Sequence, residues 1–548
     1  MKGSKYIAEM LKAYGVTHIF YQDMAMPILV KEAHKAGINT IICKSEEASG
    51  YMADGYARTA RKPGIALGQS IGSANLAAGL HDAWLAGAPV IAISDKKSCM
   101  FQYRNSYQES DHKRLFDAVC RFNAFCDDPQ EMPRILNQAF REVVTSKPRP
   151  AFIDSDGFFM NSPLDLADLP DEIRINKAFA SYPALRPSAE EKYINEAAAA
   201  IDAAKKPLII AGRGAVISGA AEELRSFASR GDIPIAITPD GKTIIDESDP
   251  LWAGVAGFYG MIATNEIIRE SDLVIYIGSG ISDHTTLNFT NPDPLAKVIQ
   301  LDIDPVELGR SFYNTIPIFA DAKVGIAQLV DAIAKNSRPE WMAFVSAKVK
   351  EHLAKMDQQA SATDVLSPAS VCYELTKTLP DNGIIVSDTG NSAIWTSNYI
   401  RMKPGQFYTR AAGSLGWGYP ASLGVKCSAP ERPVICFTGD GGFFYHSNEM
   451  ETAVRCGINT VTILNKNGGL VQDGAFHEMM TGDEKTAEPY YRFADVDYCK
   501  LAESYGVWHK RVSAVNEINP AINEALAANR PAIIECVTSP KCHPLASR

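Results

Sequence analysis

The sequence has 548 residues, 46% hydrophobic and 22% charged, close to soluble globular averages, which excludes a disordered, collagen-like or coiled-coil chain. Acidic residues outnumber basic ones, 64 against 54, and the net charge of −10 leaves no electrostatic footprint for nucleic acid or an anionic membrane. Its 11 cysteines include no C-x-x-C pair, no apolar run reaches the ~18–20 residues a bilayer crossing needs, and the N-terminus lacks the apolar core of a signal peptide. A soluble, cytoplasmic protein of about three domains is expected.

Short β-type apolar runs alternate with helical periodicity along the chain, the pattern of α/β domains with mostly parallel sheets. The first module opens with a helix over 5–14 and predicts strands over 18–21, 40–43, 64–68, 90–94 and 151–154. A Pro/Asp-rich stretch over 161–187 reads as a linker. The second module predicts strands over 207–211, 233–237, 273–277 and 298–303. A charged helical stretch, 337–355, and a polar passage, 357–364, read as a second connector. The third module predicts strands over 383–387, 434–438, 460–464 and 532–537. Three doubly wound α/β modules are therefore expected, over 1–165, 190–335 and 366–548, the first and third with similar coarse patterns.

The most informative stretch is Val434-Ile435-Cys436-Phe437-Thr438-Gly439-Asp440-Gly441-Gly442, followed by a helix and by Thr460-Val461-Thr462-Ile463-Leu464-Asn465-Lys466-Asn467-Gly468-Gly469. Asp440 and Asn467 are separated by about one strand–loop–helix–strand unit, roughly 30 residues. That spacing puts both at the C-terminal edge of adjacent parallel strands, where open α/β sheets bind ligands. The Gly-Asp-Gly-Gly loop offers backbone N–H groups to phosphate oxygens. A carboxylate, an amide oxygen and a nearby carbonyl suit Mg²⁺, which shares its oxygen ligands with substrate phosphates.

This pair resembles the thiamin-diphosphate signature, Gly-Asp-Gly followed by an asparagine near the end of the next strand. The family is that of acetolactate synthase, pyruvate oxidase, benzoylformate decarboxylase and oxalyl-CoA decarboxylase. The resemblance implies Asp440, Asn467 and the carbonyl of Gly469 as metal ligands, with Gly441, Gly442 and Leu470 beside the cofactor. Many members have Asn-Asn where this chain has Lys466-Asn467; alternate residues at a strand end point opposite ways, so Lys466 need not disturb the ligand.

Lys44-Ser45-Glu46-Glu47-Ala48 and Met52-Ala53-Asp54-Gly55-Tyr56-Ala57-Arg58 resemble the family's glutamate and its alanine-rich helix. The register implies Glu46 as the carboxylate exchanging a proton with the cofactor's aminopyrimidine, buried, with Glu47 solvated. The usual Arg-His before this glutamate is replaced by Lys44-Ser45. Gly413-Ser414-Leu415-Gly416-Trp417 resembles the segment over which the cofactor bends. It implies Leu415 as the fulcrum and the Gly413–Leu415 backbone, with Ser414, as cofactor contacts. Val386-Ser387-Asp388-Thr389-Gly390-Asn391 is another strand end, and Asn391 is expected at the diphosphate.

In the second module, Gly212-Arg213-Gly214 misses the G-x-G-x-x-G dinucleotide spacing and reads as a tight turn. The segments 278–283 and 302–305 resemble landmarks of the family's central domain, which binds FAD, ADP or nothing. Substrate walls are expected at Tyr21-Gln22-Asp23-Met24, Gln69-Ser70, Gln108 and Leu470-Val471-Gln472, with Gln108 counted among the catalytic residues. His81 and His477 are candidates for proton transfer. Pro27 and Glu449-Met450-Glu451-Thr452 resemble acyl-CoA-using members.

The activity the resemblance implies is Mg²⁺- and thiamin-diphosphate-dependent C–C bond formation or cleavage next to a carbonyl, acting on a 2-oxo acid or aldehyde. In the first place this is decarboxylation of a 2-oxo acid with carboligation, as in acetolactate synthase. The expected assembly is a homodimer or homotetramer with sites between subunits. Three alternatives stand beside it: a 2-hydroxyacyl-CoA lyase or synthase, a nicotinamide-dependent dehydrogenase built on 212–219, and a non-catalytic homologue.

Overall fold

Runs of Ile, Val, Leu and Ala that are apolar on both faces must lie between two helical layers, and this chain has three sets of them. The computed structural model describes residues 1–157, 162–362 and 365–546; Asn161 of the expected linker and residues 363–364 of the second connector lie outside these. The first sheet is built from β1 (His18–Tyr21), β2 (Asn39–Ile42), β3 (Gly64–Gln69), β4 (Val90–Lys96), β5 (Phe122–Cys126) and β6 (Ala151–Asp156). The second contains β7 (Pro207–Ala211), β8 (Ile235–Ile237), β9 (Trp252–Val255), β10 (Leu273–Ile277), β11 (Val298–Asp302) and β12 (Thr315–Phe319). The third contains β13 (Ile384–Ser387), β14 (Phe407–Arg410), β15 (Val434–Gly439), β16 (Val461–Lys466), β17 (Trp508–Val512) and β18 (Ala532–Val537).

All three sheets are parallel. The first runs β2-β1-β3-β4-β6-β5 and the third β14-β13-β15-β16-β18-β17, the same order. The second, β12-β11-β10-β7-β8-β9, has the Rossmann order read from its other edge. In each sheet the order reverses at an internal position, and there the strand ends open a crevice. Those ends are Tyr21 and Gln69 in the first sheet, Ala211 and Ile277 in the second, and Ser387 and Gly439 in the third.

The strands that the sequence did not predict, β5, β9, β12, β14 and β17, all lie at sheet edges. Edge strands are covered less completely, so they carry mixed sequences such as WHKRV and FNAFC instead of apolar runs. The second connector is also corrected. Residues Pro339–Ala360 form one long helix, including part of the polar passage. Trp341, Val345, Val349 and Met356 are buried from it into the central core, because hydrophobic residues at three- and four-residue spacing give the charged stretch one apolar stripe. The first linker is likewise anchored, with Leu164, Leu169 and Tyr182 buried in the first-domain core. No described helix is long and apolar enough to cross a membrane.

The first and third domains meet where helix Glu46–Ala60 packs on helix Gly418–Ser428. Glycines permit the closeness: a Cβ on Gly55 would collide with the Ala421 carbonyl, and one on Gly424 with the Met52 carbonyl.

Candidate active site

At the third-domain crevice, Asp440 leaves β15 and is 2% exposed. Its Oδ1 accepts the Gly441 N–H at 2.9 Å; its Oδ2 accepts the N–H groups of Gly468 at 2.7 Å and Asn467 at 3.2 Å. Burial pushes the carboxyl up, and these backbone donors oppose the shift. The Oδ1 of Asn467 is buried beside this carboxylate without a hydrogen-bond partner, a costly arrangement that calls for a ligand. Gly469 pairs with Arg492 in a short antiparallel bridge, and a Cβ there would strike the Tyr491 carbonyl, so glycine is needed. Lys466 turns away and pairs with Asp495 at 2.6 Å and Glu535 at 3.2 Å, as strand alternation requires.

Around this pair, Leu470 lies over Gly441, where a Cβ would come 2.6 Å from its methyl. Asn391 opens the helix Asn391–Tyr399, with its own Oδ1 buried and unpartnered. Gln472 reaches Gly390 from the segment after Asn467. The fully buried Asp388 ties the crevice to the Leu415 loop. It accepts the N–H groups of Thr389 (2.8 Å), Gly416 (3.1 Å) and Gly418 (3.3 Å) and the Thr438 hydroxyl (3.0 Å). Burial outweighs these donors and pushes its carboxyl to about 6. Gly413 is exposed and Ser414 and Leu415 half-buried beside it.

The first-domain crevice gathers Glu46 and Gln108 around one turn. Ser45 caps the helix of Glu46, its hydroxyl accepting the Ala48 N–H at 3.1 Å. Glu46 is buried: Asn75 Nδ2 donates to its Oε2 at 3.2 Å, and the carboxylate lies against Gly72, where a Cβ would overlap it. Gln108 has a left-handed backbone (φ 59°), its carbonyl accepts the Ser70 hydroxyl, and its Oε1 is buried without a partner. Glu46 and Gln108 thus converge on residues 70–75. Glu47 is not fully solvated. A third of its side chain is exposed; its Oε1 accepts the Tyr51 hydroxyl at 3.0 Å, and His446 of the third domain lies 3.8 Å from its Oε2.

His81 is exposed, and His477 stacks on Tyr490. Glu449 is buried and accepts the Lys44 N–H at 2.7 Å, joining the two domains ahead of Glu46. Sequence reasoning placed Ser70 on a substrate wall but gave no role to Asp388 or His112. His112 Nε2 donates to the Ser70 carbonyl at 2.8 Å while Nδ1 meets Asp154 at 3.1 Å. No local motif marks these residues, because their partners come from other strands.

In the central domain, Gly214 N–H donates to the Gly278 carbonyl at 2.8 Å where β7 and β10 end. The crevice there has a volume of about 1100 Å³, is lined by Arg213, Asp302 and Asp321 among others, and runs to Gly413. Burial raises the Asp302 carboxyl to about 6.

Two sheets of identical order, with a Rossmann-ordered sheet between them in the chain, define a three-domain α/β protein whose strand-edge crevices are the places to bind a ligand. Residues 1–115 match the N-terminal thiamine pyrophosphate (TPP) binding domain of thiamine pyrophosphate enzymes, residues 194–329 their central domain, and residues 388–536 their C-terminal TPP binding domain. The "Probable acetolactate synthase large subunit" of Methanocaldococcus jannaschii is 30% identical, over 98% of this chain and 92% of that one. The acetolactate synthase isozyme 1 large subunit of Escherichia coli is 28% identical over 96% and 92%, and the acetolactate synthase large subunit of Lactococcus lactis 28% over 99% and 93%. The chain belongs to the thiamin-diphosphate-dependent decarboxylase and carboligase family.

Proposed function

We propose that this enzyme, with Mg²⁺ and thiamin diphosphate, decarboxylates a 2-oxo acid and joins the remaining fragment to a carbonyl acceptor, the reaction type that acetolactate synthase names. The observation that carries the reading is the buried, unpartnered Asn467 Oδ1 beside Asp440 at a glycine-lined strand edge. These oxygen donors fit a hard dication. Asp440, Asn467 and the Gly469 carbonyl would hold Mg²⁺. Asn391, Gly441, Gly442 and Leu470 would hold the diphosphate, and Gly413, Ser414 and Leu415 the bent pyrimidine. When bound, thiamin diphosphate supplies the nucleophilic carbon and the electron sink for making or breaking a C–C bond next to a carbonyl.

The protein's share is positioning and proton control. Glu46, clamped by Asn75 and Gly72, would exchange a proton with the aminopyrimidine. Gln108, its amide oxygen unpartnered at the crevice, would face the substrate. The hydrogen bonds of Glu46 and Gln108 run to first-domain residues and those of Asp440 to third-domain residues. Each half-site is flanked by exposed apolar side chains, Met100, Phe101 and Tyr107 at one and Tyr445, Phe476 and Met479 at the other. Such patches support a homodimer or homotetramer in which Glu46 of one subunit meets Asp440 of the next. The central crevice supports FAD or ADP as a further ligand; 1100 Å³ is at the upper end of small-molecule sites.

The test is Glu46→Gln. Thiamin diphosphate affinity should stay near the parent's while CO₂ release from a panel of 2-oxo acids falls by about 100-fold or more. Full turnover with bound cofactor would sink the role of Glu46. Absorption and mass spectra of released cofactors read out FAD or ADP.

A further inference from the structure

Asp82 lies on the first-domain helix Ser73–Ala86 and is fully buried, yet its carboxylate faces the third domain. Its Oδ1 accepts the N–H of Ala412 at 2.9 Å, and its Oδ2 accepts those of Gly413 at 3.0 Å and Ser414 at 2.9 Å. Three successive amides therefore point at one carboxylate. Arg58 stands behind it, 2.7 Å from Asp82 Oδ1. The same guanidinium donates to Asp54 Oδ1 at 2.7 Å and to the Arg410 carbonyl at 2.7 Å, and lies 4.3 Å over the Trp417 ring. The Trp417 indole N–H donates to Asp54 Oδ2 at 2.8 Å. The backbone on both sides of Leu415 is thus tied to one buried network.

A peptide group is planar and trans, so an N–H and the carbonyl of the preceding residue point in opposite directions. With the Ser414 N–H on Asp82, the Gly413 carbonyl must point away from it. With the Gly416 N–H on Asp388 Oδ1 at 3.1 Å, the Leu415 carbonyl points away from Asp388 in the same manner. We infer that Asp82 is a positioning residue of the cofactor site. It turns the Gly413 carbonyl toward the aminopyrimidine and, by accepting from the same peptide, makes that carbonyl a stronger acceptor for the exocyclic amino group. The inference rests on the reading that Gly413 contacts the cofactor; the role itself belongs to a residue of the other domain.

The experiment titrates full-length parent and Asp82→Asn with Mg²⁺ and either thiamin diphosphate or its 4′-deamino analogue, following tryptophan fluorescence, with circular dichroism to check folding. Asn keeps one acceptor and removes the charge. Thiamin diphosphate should bind the variant about tenfold more weakly, the scale of a lost hydrogen bond to a charged group. The deamino analogue should bind both proteins within about twofold, since it has no amino group for the carbonyl to receive. If Asp82→Asn does not fold, Asp82→Ser is titrated in the same way. Equal weakening of both ligands would mean a merely structural residue and overturn the inference, as would no weakening of either. If the parent itself bound no thiamin diphosphate, the cofactor reading would fail first and take this inference with it.

Discussion

Asp82 and Asp388 are both fully buried carboxylates that accept N–H groups of the Leu415 loop, and their surroundings drive them in opposite directions. Burial penalises each charge. At Asp82 it is overcome by the Arg58 guanidinium and the loop amides, which hold the carboxyl below its usual range. Asp388 has donors but, among the described residues, no cation that lowers it, and its carboxyl rises to about 6. At His446 burial prevails: desolvation of the imidazolium lowers it from 6.5 to about 4, even with Glu47 Oε2 3.8 Å from its Nε2. Between these values the unfolded chain binds more protons than the native one, so stability falls as the pH drops through that window, by up to about 3 kcal/mol from this residue. Asp388 has the opposite sign, because native protein takes up its proton first as the pH falls below about 6. His18, also lowered to about 4, adds to the His446 effect. His446→Gln should therefore narrow the gap between the melting temperatures at about pH 7.5 and about pH 4.5; an unchanged gap would contradict the assignment. At this scale the sequence was legible where a motif carried the residue. Glu46 could be separated from Glu47 by its register against Met52-Ala53-Asp54-Gly55-Tyr56, and Asp440 and Asn467 by their glycines. Asp82 and His112 have no such neighbours, since what makes each of them matter is a partner 330 or 42 positions away.

The crossing of helices Glu46–Ala60 and Gly418–Ser428 joins the first domain to the helix that follows the Leu415 loop in the same chain. Its tolerance is set by two glycines. Gly424→Ala would place a methyl on the Met52 carbonyl, and overpacking of this kind costs about 1–3 kcal/mol or more. The variant should melt several degrees lower and also bind thiamin diphosphate more weakly, because the displaced helix carries the loop; lowered melting with parental cofactor affinity would dissociate crossing from site. Central strands were legible because two-sided burial demands continuous apolar runs. Edge strands such as β5 and β17 were not, because half their surface tolerates polar residues. The helix Pro339–Ala360 reads as a connector by its charge, and only its buried stripe reveals that it belongs to the central core.

At the scale of the whole molecule, one strand order occurs twice, and the proposed site takes its glutamate from one copy and its acid–amide pair from the other. If the half-sites of different subunits complete each other, two inactive variants should complement. Mixing unfolded and refolded Glu46→Gln with Asp440→Asn at equal amounts should restore about a quarter of parental turnover, since half of the dimers are mixed and one of their two sites is intact. No recovery would place both groups in one subunit's site. Sequence by itself determined the three α/β modules and the central strands, and it singled out the glutamate and the acid–amide pair, because these follow from local periodicity and from motifs whose residues are neighbours in the chain. Tertiary structure decided the sheet orders, the edge strands, the glycine-mediated helix crossing and the Asp82–Arg58–Asp54 network. Each of those depends on contacts between residues far apart in sequence, where burial and the need to satisfy every buried polar group select the partner.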